Sequence, residues 1–327
     1  MDYVTGIQQR DRSILGRTIT LIESNAPEHI GLAQEVLSEL MPLTGQSIRI
    51  GITGIPGAGK SSLIEALGLH LVEAGHGVAV LAVDPSSGLS GGSILGDKTR
   101  MEHLSRSPDS FIRPSPSGGA LGGIARKTRE SMLVCEAAGY DVILIETVGV
   151  GQSEIAVRSL VDFFLLLQIP GGGDELQGIK RGIIEIADAI LINKADGENI
   201  QQAEVARSEL ARAIHYLMRV TPGWRTSVST CSALTGAGIP ELWRTIQRFK
   251  AITTQNGFLQ ERRSEQARTW MRTMLQDQLL HLMLANPHIK ALADKLEAQV
   301  VAGKLPPTQA AQQLIEAFRN SSPLMES

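Results

Sequence analysis

The chain has 327 residues, 43% of them hydrophobic, enough for one large domain with extensions or for two domains. Its formal net charge of -3, with 20% charged residues, supplies no basic field, so nucleic acid is not expected as a partner. Cys135 and Cys231 are the two cysteines; they lie far apart and form no C-x-x-C, which argues against a disulfide framework or zinc site and fits a reducing compartment.

In chain order, the opening MDYVTGIQQRDRSILGR has no apolar core of signal-peptide length. No run of about 18 apolar residues occurs anywhere, so no membrane span is expected and the cytoplasm is the expected location. Residues 11–23 read as a helix with Asp11 as N-cap and Ile14, Leu15, Ile19 and Ile22 on one face. A second helix follows, with Pro27 in its first turn and Ile30, Ala33, Leu37 and Leu40 at helical spacing, closed by Pro42 and Gly45. The middle of the chain then alternates. Short apolar runs at 48–53, 78–83, 142–145, 163–169, 189–192 and 226–230 are separated mostly by helical segments. This pattern predicts an α/β fold with a mostly parallel sheet and helices on both faces. From about 251 the strands stop. A helix carrying Ala267, Trp270, Met271, Met274, Leu275, Leu279 and Leu282 on one side runs to Pro287, and two more helices follow. The expected division is a helical extension over 1–45, a central domain over 46–250 and a helical segment over 251–327.

The loop after the first predicted strand reads Gly54, Ile55, Pro56, Gly57, Ala58, Gly59, Lys60, Ser61. It fits G-x-x-x-x-G-K-[ST] and opens a predicted helix, the context that marks a phosphate loop of a P-loop NTPase. Phosphate oxygens must approach several backbone N–H groups at once, which side chains at Gly54, Gly57 and Gly59 would hinder. The helix N-terminus adds partial positive charge. Lys60 supplies a full charge for the β- and γ-phosphates, the Ser61 hydroxyl can ligate Mg2+, and Ser62 can reach the α-phosphate.

A second motif points to the base. Asn193-Lys194-Ala195-Asp196 ends a predicted strand. A carboxylate at Asp196 accepts from both N1–H and the exocyclic amine of guanine, and adenine offers neither pattern. The Lys194 stem can lie across the ring face. Ser232, Ala233 and Leu234 follow the last predicted strand and can present a backbone N–H to the guanine oxygen. In chain order after the phosphate loop, the set predicts GTP and GDP as ligands. Between the two motifs, Asp84 ends the strand predicted from 78–83 and Glu146 the one from 142–145, where acids can reach a phosphate-bound Mg2+. The alternative for either acid is a helix N-cap.

The phosphate loop, AVDPSS, GGSILGDKTRM, ETVGVGQSE, PGGGDELQGIKRGIIEIAD, NKAD and SALTG together resemble the MeaB/ArgK group of P-loop GTPases, the G-protein chaperones of adenosylcobalamin-dependent methylmalonyl-CoA mutase. The resemblance runs from about residue 10 to the end and is densest over 51–236. It implies a homodimer held by a C-terminal helical arm, with the N-terminal extension and G domain in front of it. It also implies that Asp84 and Asp97 lie in switch I, that Glu146 and Gln152 lie in switch II, and that GDELQGIKRG forms a third switch in which Lys180 couples nucleotide state to the mutase. Read from the residues alone, Lys180 is equally a solvated helix lysine. Ile55 occupies the position after the first loop glycine, so the extra lysine of the deviant ATPases of the wider superclass is missing. Phosphoryl transfer depends mainly on positioning and charge, and an unaided G domain turns over at about 10⁻⁴ to 10⁻² per second in other GTPases. A slow GTPase stimulated by its partner is therefore expected. A phosphotransferase linked to amino-acid transport and a metal-insertion GTPase are the competing readings. Asp196 speaks against ATP and so against the first. The scattered histidines and isolated cysteines speak against the second.

Overall fold

The computed structural model describes residues 2–24, 26–84, 101–116, 121–147, 153–171, 181–215 and 220–321. Seven strands make one sheet: β1 (Ile48–Gly54), β2 (Val78–Asp84), β3 (Ser110–Pro116), β4 (Val142–Thr147), β5 (Phe163–Gln168), β6 (Ala189–Ile192) and β7 (Ser227–Thr230). Their order is β3-β2-β4-β1-β5-β6-β7, and every pair is parallel. The expected doubly covered parallel sheet is therefore present. Side chains alternate across it. Ile48, Ile50 and Ile52 of β1, Val142 and Leu144 of β4, and Phe163, Leu165 and Leu167 of β5 share one core. Ile143, Ile145, Phe164 and Leu166 belong to the other. Both faces are dry, which is why these strands are continuous apolar runs.

All six expected strands occur. The seventh, β3, has the sequence SFIRPSP and reads as a loop. It pairs only with β2, at the edge of the sheet. An edge strand tolerates proline because its outer N–H groups have no ladder partner to lose, so Pro114 and Pro116 hide the strand without forbidding it.

Helices α1 (Tyr3–Gln8), α2 (Arg12–Glu23) and α3 (Pro27–Leu40) precede the sheet. Asp11 caps α2 as expected, accepting from Ser13 N at 2.8 Å and Ile14 N at 3.0 Å. Leu15, Ile19, Leu37 and Leu40 join one core with residues of the sheet and of α6 (Leu121–Ala137). Ile30, expected on the apolar face of α3, is exposed. Among the described residues, the other α-helices between strands are α4 (Lys60–Glu73), α5 (Glu102–Arg106), α7 (Ser153–Arg158), α8 (Arg181–Ile186) and α9 (Ile200–Ile214), and α10 (Ile239–Gln255) follows β7.

Two compact units divide the chain, Met1–Gln266 and Ala267–Ser327. Helix α11 (Phe258–Leu284) begins in the first and continues in the second, with α12 (Pro287–Val301) and α13 (Pro307–Ser321) completing the second. Within the second unit Ile289, Leu296 and Ala310 are buried, whereas Met271, Leu275, Leu279 and Leu282 are each more than half exposed.

Candidate functional site

The C-terminal ends of β1, β4, β5, β6 and β7 converge on one edge of the sheet, the usual position for ligands in open α/β folds. β1 delivers the phosphate loop there. Gly54 has φ +154°, and a Cβ would lie 2.4 Å from the Leu167 carbonyl oxygen of β5. Gly59 has φ +89°, and a Cβ would lie 2.5 Å from Asn193 Nδ2. These two glycines are thus demanded by the protein's own backbone and side chains, in addition to any approach of phosphate. At Gly57, φ is +79° with open space around it, so the constraint there is conformational.

Ile55 is half-buried, Pro56 and Gly57 are exposed, and Ala58 is buried. Lys60, the first residue of α4, is buried. Its Nζ donates to the carbonyls of Gly54 at 2.9 Å and Ile55 at 3.2 Å, so the ammonium arches back across the loop. Burial lowers its pKa, and the charges of Glu146 and Glu154 oppose that shift. Ser61 donates from Oγ to Glu146 Oε1 at 3.0 Å, and Glu146 is buried at the end of β4. Ser62 is exposed in the first turn of α4.

Hydroxyl and carboxylate oxygens side by side, next to a lysine, form the hard-oxygen donor set that suits Mg2+ on a phosphate. Ser61 and Glu146 are the described residues that fit it. Asp84 is the last residue of β2, two positions past the Ala82–Glu146 rung between β2 and β4. Asp97, Gln152 and Lys180 lie outside the described residues.

The base end is built from the β6 and β7 loops. Asp196 accepts a hydrogen bond from the fully buried Ser232 hydroxyl. The Ser232 oxygen in turn accepts from Thr235 N at 3.1 Å, so the serine holds the Asp196 carboxylate in place. Lys194 is exposed and sits at φ +60°, a backbone conformation uncommon outside glycine. Leu234 is exposed. Asn193 is buried and makes a bridge. Its Nδ2 donates to the Ala58 carbonyl at 2.9 Å, and its Oδ1 accepts from Ala233 N at 3.0 Å. Cys231 donates to the same oxygen at 3.4 Å, and burial pushes its thiol up to about 12. The Asn193 side chain therefore ties the phosphate loop to the loop after β7, and the Ala233 N–H that the sequence offers to guanine is engaged by it.

Two further residues of the ETVGVGQSE segment lie beside the site and are given no role by sequence reasoning. Thr147 is buried and donates to Thr53 Oγ1 at 3.0 Å, pinning the end of β4 to β1 just before the phosphate loop. Glu154, on α7, is buried with its charge acting on Lys60. Their place in ETVGVGQSE, as its second and last residues, is the sequence signal for them.

Known proteins place this arrangement in a family. A mouse protein named "Methylmalonic aciduria type A homolog, mitochondrial" is 45% identical over 326 residues, covering 97% of this chain and 79% of its own. The Escherichia coli "GTPase ArgK" is 49% identical over 285 residues, covering 87% and 86%. A crystal structure described as "LAO/AO transport system kinase" superposes with TM-score 0.77 at 40% identity, covering 97% of both chains. Residues 15–288 match the family profile described as "Methylmalonyl Co-A mutase-associated GTPase MeaB". With a phosphate-loop sequence, an N-K-x-D sequence and this sheet order in one chain, the protein belongs to the MeaB family of P-loop GTPases.

Proposed function

We propose that the chain binds GTP with Mg2+, hydrolyses it to GDP and phosphate, and uses the change to gate and protect cofactor loading of an adenosylcobalamin-dependent methylmalonyl-CoA mutase. The observation that carries the mutase link is the family match over 15–288, supported by the name of the mouse relative. Catalytic roles fall to Lys60, Glu146, Gln152 and Lys180, and the metal is held by Ser61, Glu146, Asp84 and Asp97. Bound Mg2+ would offset phosphate charge. Lys60 holds its ammonium at the mouth of the loop through the Gly54 and Ile55 carbonyls. Those carbonyls are weaker partners than a phosphate, so the lysine can move to the substrate at small cost. Ser232 orients Asp196 toward the base. Asn193 fixes the distance between the phosphate and base loops, which positions GTP before any chemistry occurs.

The basal rate is slow and the mutase accelerates it, in the cytoplasm, through a third switch containing Lys180. Residues 1–45, 46–250 and 251–327 serve as extension, G domain and dimerisation arm. The exposed Met271, Leu275, Leu279 and Leu282 supply an apolar face for the homodimer. A deletion that respects the first compact unit stops after Gln266, because Arg262 and Arg263 bond into that unit. Loss of the dimer on that deletion supports the arm, and a retained dimer refutes it.

Affinity capture from native extract, with the protein loaded with GDP or with a non-hydrolysable GTP analogue, tests the partner. A mutase retained in a nucleotide-dependent manner is expected. Capture of no cobalamin enzyme in either state would overturn the proposal. A second reading, phosphotransfer to an acceptor, is favoured by the description of the solved structure as a kinase. Incubation with γ-labelled GTP separates the two, since hydrolysis gives free phosphate alone and a kinase leaves label on an acceptor.

A further inference from the structure

The end of the sheet opposite the nucleotide holds a cluster centred on Asp188, just before β6. Its Oδ1 accepts from Thr221 Oγ1 at 2.8 Å, and its Oδ2 accepts from Phe164 N of β5 at 3.0 Å. Two guanidiniums share Oδ2: Arg158 of α7 at 3.3 Å and Arg262 of α11 at 3.4 Å. Arg262 also donates to Thr221 Oγ1 at 2.8 Å and to the Asp162 carbonyl. One carboxylate thus joins a helix of the G domain to the first turns of α11.

Helix α7 also reaches the nucleotide end. Its Val157 packs so closely on β1 that a Cβ at Gly51 would lie 3.0 Å from Val157 Cγ1, and Gly51 is three residues before the first loop glycine. Its Glu154 lies buried close to Lys60. Val157 seated against Gly51 in this way leaves little room for α7 to move toward β1.

We infer that Asp188 is a junction that makes the position of α7, behind the phosphate-loop strand, and the seating of the first turns of α11 depend on each other. Arg158 acts as a positioning residue, touching neither GTP nor the reacting atoms. Because coupling between two sites is reciprocal, nucleotide state alters the hold on α11, and loss of that hold alters nucleotide handling. Arg158 is half-buried, and desolvation, with Arg262 beside it and Asp188 opposing, pushes its pKa down to about 10, so its charge is sensitive to the place of Arg262. The inference rests on GTP binding and not on the mutase, so the two can fail separately.

Hydrogen–deuterium exchange on the full chain, with GDP and with a non-hydrolysable GTP analogue, tests it in the peptide spanning 258–266. In wild type the exchange rate of that peptide is expected to differ between the two nucleotides by at least about fivefold, the lower range of ordinary site coupling. Arg158→Ala should erase the difference and Arg158→Lys should restore part of it, with nucleotide affinity in the GDP state unchanged. If circular dichroism shows that Arg158→Ala does not fold, Thr221→Val removes one hydroxyl from the cluster and takes its place in the comparison. An equal exchange rate in both states of wild type, or a difference that survives in the variant, overturns the junction.

Discussion

At the N-terminal ends of the strands, arginines meet carboxylates in matched sets. Arg49 grips Glu136 at 2.8 and 3.0 Å, Arg263 grips Asp162 through two nitrogens at 2.8 and 2.6 Å, and Arg158 and Arg262 share Asp188. At the C-terminal ends, Lys60 is buried against two carbonyls of its own loop, and Glu146 faces a serine hydroxyl. Both ends bury charge. One end closes it in direct ion pairs, and the other holds it in hydrogen bonds to carbonyls and a hydroxyl, with Glu146 and Glu154 acting on Lys60, where a phosphate or a cation can still compete for it. That difference separates charges that stabilise the fold from charges that, in the proposed function, act on a substrate.

Breaking the matched end should have the largest effect. Asp162 is fully buried and holds Arg263 and the Arg49 N–H. Asp162→Ala should lower stability by about 3–5 kcal/mol by leaving the half-buried Arg263 without its carboxylate and the Arg49 N–H without its acceptor. Urea denaturation checks this, and a loss below about 1 kcal/mol would place the pair among ordinary surface bridges. Lys60→Ala probes the opposite end. Hydrolysis should fall on the order of 10²- to 10³-fold, as when a donor to a developing charge is removed, while the thermal unfolding transition stays intact. Unfolding of that variant would give Lys60 a structural role and erase the distinction between the ends.

A smaller effect sharpens the functional side. Asp196→Asn should weaken GTP by about 1.5–3 kcal/mol, the range for a charged hydrogen bond, and shift preference toward xanthosine triphosphate. Isothermal titration with both nucleotides decides it, and unchanged GTP affinity would remove Asp196 from the base site. The smallest effect is a control on burial. Arg106 and Glu102 form an exposed ion pair on α5. Glu102→Gln should change stability by no more than about 0.5 kcal/mol, because solvent screens the pair. A larger loss in the same denaturation experiment would mean that pairing rather than burial ranks these interactions.

What the chain order alone determined is the part of the molecule whose physics is local. A phosphate loop needs consecutive residues between a strand and a helix, so 54–61 is legible as written. The six apolar strands are legible because a sheet covered on both faces demands continuous apolar runs. Asp11 capping α2 and Pro27 opening α3 are likewise decided within a few residues. The tertiary structure decided everything that joins distant segments. β3 exists because β2 offers it an edge, and its prolines disguise it. Asn193 reads as a ligand contact, and its side chain also bridges Ala58 and Ala233, 135 and 40 positions away. Gly54 and Gly59 are required by Leu167 and Asn193 as well as by phosphate. Arg262 and Arg263 look like solvated helix charges in sequence, yet they close ion pairs with Asp188 and Asp162 on segments 74 and 101 positions away. Side-chain periodicity reports which face of an element is buried, and it carries no information about which distant partner a buried charge will meet.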